Sequence, residues 1–139
     1  MIHQHFKLID VLTAGENIVI GQEQGLFLSQ KKTADRILEL SKKYGIAIDP
    51  YKKVYNMSVS EKQTVEIMKI LYRGADVLIL DEPTAVLTPQ EIKGLFAILR
   101  EMKEQGCCII IITHKLAEVM EISDRVTVLR KGESITTAV

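Results

Sequence analysis

Four apolar residues, Val77 to Leu80, run straight into Asp81-Glu82, and further along the apolar run Cys108 to Thr113 terminates at His114. In open α/β sheets ligands bind beyond the carboxyl ends of the strands. Two acids at one strand tip and an imidazole at another therefore share a rim if the strands are neighbours. A carboxylate there can hold Mg2+, a hard cation that takes oxygen ligands. A second carboxylate beside it can orient or deprotonate an attacking water. His114 is then placed to touch a terminal phosphate or the water attacking it. The chemistry these residue types can do is metal-assisted attack of water on a nucleoside triphosphate. A plainer role stays open for each: Asp81-Glu82-Pro83-Thr84 also makes a polar strand exit, and a histidine after a strand is ordinarily a cap or a surface side chain.

Periodicity and punctuation define the elements that must carry these groups. From Thr13 to about Tyr72 the pattern is helical. Thr13 and Glu16 form a T-x-x-E capping box ahead of Ile18 to Ile20, and Ser29 precedes a charged helix with Ala34, Ile37, Leu38 and Tyr44, which Gly45 closes. A second capping box, Ser58-x-x-Glu61, opens a helix whose apolar residues Val65, Ile67, Met68, Ile70 and Leu71 surround most of its circumference, so it is expected to be buried on more than one side. From Asp76 the rhythm changes to strand Val77–Leu80, helix Pro89–Glu104, strand Cys108–Thr113, short helix Leu116–Ile122 and strand Arg125–Leu129, with Lys131-Gly132 turning into a final strand. Such a βαβαβ run predicts parallel strands covered by helices on both faces. A boundary falls near Gly74-Ala75, dividing a helical part, 1–75, from an α/β part, 76–139.

Composition narrows the class. With 139 residues, 47% hydrophobic and 26% charged, the chain fits one soluble globular domain. Eighteen basic residues balance eighteen acidic ones, which leaves no global field for a polyanion and disfavours a nucleic-acid partner. The two cysteines, Cys107 and Cys108, are neighbours whose side chains point to opposite faces of a strand, so no disulfide joins them and a reducing cytosol is expected. The longest strongly apolar run, Cys107 to Ile112, falls far short of the roughly 20 residues that span a bilayer.

"LILDEPTA", with "IIITHKLAEV" downstream and "MSVSEKQTVEIMKILYRGADV" just upstream, resembles the ATP-binding subunit of ABC transporters. Within that family, "IHQHFKLIDVLTAGENIVIGQE" and "DEPTAVLTPQE" look most like the first cassette of ATPases serving simple-sugar or nucleoside importers. The resemblance covers practically the whole chain, with four motifs in the family's order. It implies a P-loop NTPase-like fold in partial form: a Q-loop and helical subdomain with the signature motif over 1–75, then the later part of a RecA-like core with Walker B, D-loop and H-loop over 76–139. It also implies roles. Gln4 matches the Q-loop glutamine that reaches metal and water, Asp81 the metal-holding Walker B aspartate, Glu82 the catalytic glutamate and His114 the switch histidine. Ser58, Val59, Ser60 and Glu61 fall on the signature motif, which acts on nucleotide held by an opposite, head-to-tail cassette. A helix N-terminus, with unpaired N–H groups and partial positive charge, suits a γ-phosphate. Ser58 also fits ordinary capping. The chain departs from the family's pattern at Ser60, where a glycine is expected, at Met57, Lys62 and Thr64, and in the D-loop, which reads Ala85-Val86-Leu87-Thr88.

ATP and Mg2+ are the implied ligands, yet no G-x-x-x-x-G-K-[ST] phosphate loop exists in these 139 residues. Met1 aligns with an internal family position, so the chain is expected to be the later part of a cassette. The expectation that follows is an ATP-hydrolysing importer subunit, cytoplasmic and peripheral on the inner face of the membrane. Its partners would be a second cassette and membrane permease subunits. Alone, the chain is expected to bind ATP poorly and to self-associate through uncovered sheet surface. The alternatives are a nucleic-acid-linked ABC ATPase and a non-hydrolysing interaction module.

Overall fold

The computed structural model describes residues 7–21 and 29–139. Three short sequence signals set most of the helix starts. Thr13 caps α1 (Ala14–Val19), Ser58 caps α3 (Val59–Tyr72) and Thr88 caps α4 (Pro89–Glu104), each in a reciprocal capping box with a Glu three residues on. Pro89, whose missing N–H costs nothing in a first turn, begins α4. Ser29 caps α2 (Gln30–Lys43), which ends where Gly45 turns left-handed (φ 62°) and the Ile46 N–H donates to the Ser41 carbonyl at 2.9 Å. Strands β1 (Val77–Asp81) and β2 (Cys108–Ile112) flank α4; α5 (Leu116–Ile122), β3 (Val126–Arg130) and β4 (Glu133–Ala138) follow.

A single apolar cluster holds the elements together. Ala14 and Ile18 of α1, Ile37 of α2, Val65 and Met68 of α3, Leu78 and Leu80 of β1, and Phe96 and Leu99 of α4 all belong to it. Helix α3 is the hub, packing on both α1 and α2. Its expected burial on several sides is observed for Val65, Ile67, Met68, Leu71 and Tyr72. Gly15 allows the close approach of α1 to the loop that follows α2: its N–H donates to the Pro50 carbonyl at 2.8 Å, and a Cβ on it would lie 3.0 Å from that oxygen. The chain before α1 is tied back to α3, where the buried Glu66 accepts the Lys7 N–H at 3.0 Å.

β1 and β2 pair in parallel as expected, in register from Val77 opposite Cys108 to Asp81 opposite Ile112. Two details of the expected sheet are corrected. The βαβαβ pattern predicts β3 parallel to the first two strands; instead it pairs antiparallel with β4 in a sheet of its own. Lys131 and Gly132 both adopt positive φ (52° and 82°), the requirement of a two-residue hairpin turn, so the neighbouring strand closes on β3 at little entropic cost. The same pattern predicts helices on both faces. α4 covers one, but α5 buries no residue among those described, and Ile110 and Ile112 on the other face of β2 are each about half exposed.

Phe96→Ala, which would open a cavity at the centre of the cluster, should lower the unfolding free energy by about 3–5 kcal/mol. Leu116→Ala, on exposed α5, should change it by no more than about 0.5 kcal/mol. Urea melts of the two variants check the assignment of core and surface.

Candidate functional site

The shared register ends β1 and β2 on one rim. Immediately beyond it the Glu82 N–H donates to the Ile112 carbonyl at 2.8 Å, so the acidic turn is pinned to the end of the neighbouring strand. Glu82 itself sits in the left-handed region (φ 46°), although it carries a side chain and precedes proline, a context that favours extended backbone. Conformations of this kind cost of order 1–3 kcal/mol and persist where the surroundings over-determine them.

That backbone brings the acid and the imidazole together. Glu82 Oε1 and His114 Nδ1 lie 2.7 Å apart, with the histidine side chain 81% exposed and the glutamate 22%. An Nδ1–H facing an ionised carboxylate donates to it, which leaves Nε2 as the ring nitrogen free for a ligand. The other carboxylate oxygen, Glu82 Oε2, is buried and has no hydrogen-bond partner among the described residues. Burying an unpaired carboxylate oxygen is costly, so this atom is open to a hydrogen-bond donor such as water. The side chain of Asp81, last residue of β1, makes no hydrogen bond or ion pair among the described residues. No three His, Cys, Asp or Glu side chains among those residues form a ready-made metal cluster. One uncommitted carboxylate suits Mg2+, which is commonly held by one or two carboxylates together with phosphate oxygens and water.

The turn after Glu82 is anchored to α5 as well. Thr84, 1% exposed, donates its hydroxyl to Glu118 Oε2 at 2.6 Å. The Lys115 ammonium donates to both the Thr84 carbonyl and hydroxyl at 3.1 Å and pairs with Glu118 at 3.3 Å. The residue following His114 is thereby locked to the residue two beyond Glu82. From the opposite side, Gln63 of α3 donates Nε2–H to the Pro83 carbonyl at 2.9 Å.

Ser58, Val59, Ser60 and Glu61 form the start of α3. Ser58 Oγ accepts the Glu61 N–H at 3.2 Å, and Glu61 accepts the Ser58 N–H at 2.8 Å and the Lys52 ammonium at 2.6 Å. Capping is thus the role Ser58 plays in this structure. Among the described residues no hydrogen bond or ion pair joins these four to Asp81, Glu82 or His114. Gln4 lies outside the described residues. The sequence reading missed Gln63, Lys115 and Glu118. A signal existed for each: Gln63 shares a helix face with the apolar Val59 and Ile67, and Lys115 and Glu118 share a face at i,i+3 next to His114.

A family model described as ABC transporter matches residues 1–85. The nucleoside import ATP-binding protein NupA of Lactococcus lactis subsp. cremoris is 50% identical over 139 residues, covering 99% of this chain and 28% of that protein. The guanosine import ATP-binding protein NupO of Bacillus subtilis is 51% identical, covering 99% of this chain and 27% of its own length. The chain therefore spans little more than a quarter of these relatives. Among solved structures, cbiO1 from Clostridium perfringens, part of the ABC transporter complex cbiONQ, superposes with a TM-score of 0.77 at 28% identity over 94% of this chain and 52% of that one. The dimeric structure of MJ0796, a bacterial ABC transporter cassette, gives 0.75 at 24% identity over 98% and 60%, a likeness of fold.

The Lys52 ammonium, and then the Ser58 N–H, hold the Glu61 carboxyl below the usual range. A depressed folded value means stabilisation that is present above the unfolded pKa of about 4.3 and lost as pH falls through the lower folded value. The Tm difference between the native chain and Glu61→Gln should accordingly be constant above about pH 5 and shrink on further acidification. Thermal melts across pH 3 to 7 measure it; a difference that stays constant would exclude the linkage.

Proposed function

Because the chain belongs to the ABC transporter family of ATP-binding proteins, we propose that it is part of the ATP-hydrolysing subunit that powers an importer for nucleosides or simple sugars. The observation carrying this reading is Glu82 at the strand rim, one oxygen on His114 and the other buried and without a partner among the described residues. Relatives named for nucleoside, guanosine, ribose and xylose import support the substrate class.

In this reading Asp81 would hold Mg2+ directly or through water, and Gln4 would reach toward the same metal and water. Bound Mg2+ would neutralise charge on the phosphate oxygens. Glu82 accepts a proton as the water oxygen bonds to the γ-phosphorus and the bond from phosphorus to the ADP oxygen breaks. His114, tied through Nδ1, presents Nε2 to the γ-phosphate or to the water. Ser58 to Glu61 belong to the surface offered to nucleotide on an opposite cassette. Residues 1–75 form the Q-loop and helical subdomain, and 76–139 the later part of the ATPase core. Partners are a second cassette, head to tail, and membrane permease subunits. No described helix is long and apolar enough to cross a membrane; in this reading the subunit docks peripherally on the inner face through its permease partners.

In a complete cassette carrying this segment, Glu82→Gln should lower turnover by about 10²- to 10⁴-fold with ATP still bound. Turnover at the native level would overturn the assignment. The 139-residue chain has no phosphate loop of its own and leaves Ile110, Ile112, Leu116 and Met120 about half or more exposed. On its own it should bind ATP weakly and self-associate. Micromolar, magnesium-dependent affinity by calorimetry, or a clean monomer by light scattering at high concentration, would contradict the corresponding half of that expectation.

A further inference from the structure

The turn that carries Glu82 has three anchors, one per residue, each on a different element. The Glu82 N–H goes to the end of β2, the Pro83 carbonyl to Gln63 of α3, and Thr84 to Lys115 and Glu118 at the start of α5. We propose that Gln63 is a positioning residue for Glu82, and that its single hydrogen bond to Pro83 makes the placement of α3 set the placement of the carboxylate. The proposal rests on reading Glu82 as the base.

Gln63 is 4% exposed, and the bond to Pro83 at 2.9 Å is buried. Proline has no N–H, so the carbonyl is the one backbone group through which residue 83 can be held. Without the Gln63 amide that buried carbonyl has no other partner among the described residues, and Glu82 loses the constraint immediately after it. The left-handed Glu82 depends on such constraints, since both its side chain and the following proline favour other conformations. Glu82 also needs accuracy, because its Oε1 must stay on His114 while Oε2 remains in its buried site. On the other side of the bond, Gln63 lies one helical turn beyond Val59, inside the rigid first stretch of α3 that begins with Ser58 to Glu61. A displacement of that helix end moves the amide with it. The hydrogen bond thus connects the end of α3 to the reactive carboxylate of the same chain. Neither Ser58–Glu61 nor Glu82 need touch the other.

The test uses a complete cassette carrying this segment and the near-isosteric Gln63→Glu. When ionised, the introduced carboxylate turns an oxygen toward the Pro83 carbonyl and repels it; when protonated, it donates O–H in place of the amide. At neutral pH kcat should fall about 10- to 100-fold with KM for ATP unchanged, the size of effect that small misplacement of a reacting group produces. The ratio of variant to native kcat should then rise as pH is lowered, whereas Gln63→Met, which has no donor at any pH, should remain low throughout while still folding cooperatively, with a Tm lowered by the unpaired carbonyl. If Gln63→Glu does not fold, Gln63→Met alone decides: native kcat overturns the proposal and a loss of at least tenfold at unchanged KM supports it. A flat pH ratio, or a rise in KM with kcat preserved, also overturns it. Glu82→Gln is measured alongside. Native turnover there means the base assignment has failed, whereas collapse there with native kcat in the Gln63 variants means only the positioning role has failed.

Discussion

The parallel register of β1 on β2 is the constraint on which the candidate site depends. Because Asp81 lies opposite Ile112, the two strands run out together, and the next N–H, that of Glu82, is left beside the last carbonyl of its neighbour. A slip of one residue would send each side chain of the strand to the other face, exchanging Leu78 and Leu80 for Val77 and Ile79 in the core. Since Leu78 and Leu80 are fully buried, hydrophobic burial fixes the register, and the register fixes where the acid meets the imidazole. Packing and chemistry are specified by the same alternation of five residues.

What could be read from the residues alone follows from how local each signal is. Thr13, Ser58 and Thr88, each with a Glu three positions later, give helix starts whose whole physics lies within four residues, and all three are observed. The helix Pro89–Glu104 has the bounds its cap and periodicity imply. The proximity of Glu82 and His114 was also accessible, because strand tips and parallel order are properties of the βαβ pattern. Strand pairing beyond that was not. β3 has the composition of a strand whichever partner it takes, and only the Lys131-Gly132 turn, with positive φ at both residues, decides for the hairpin.

Side-chain anchors escaped for a different reason. Gln63 and Pro83 are twenty positions apart, and Thr84 is joined to Lys115 and Glu118 across more than thirty. Such pairings depend on how α3 and α5 come to rest against the β1 exit, which no local pattern encodes. In retrospect the visible trace is polarity out of place. Gln63, one turn before the buried Ile67, and Thr84 are both almost wholly enclosed, and both are hydrogen-bonded, as most buried polar groups are. Glu82, the residue central to the proposed chemistry, sits where the fold departs from ordinary backbone preference, in keeping with the expectation that local rules fail at functional positions.

The left-handed backbone at Glu82 has an evolutionary consequence. A residue more at ease there, such as asparagine or glycine, would relax the turn and remove the buried carboxylate oxygen, while deleting the proposed proton acceptor. With Glu82 as the proposed base, selection for thermal robustness and selection for turnover would pull in opposite directions at one codon, and a lineage released from the need for that base would be free to drift toward the more comfortable residue.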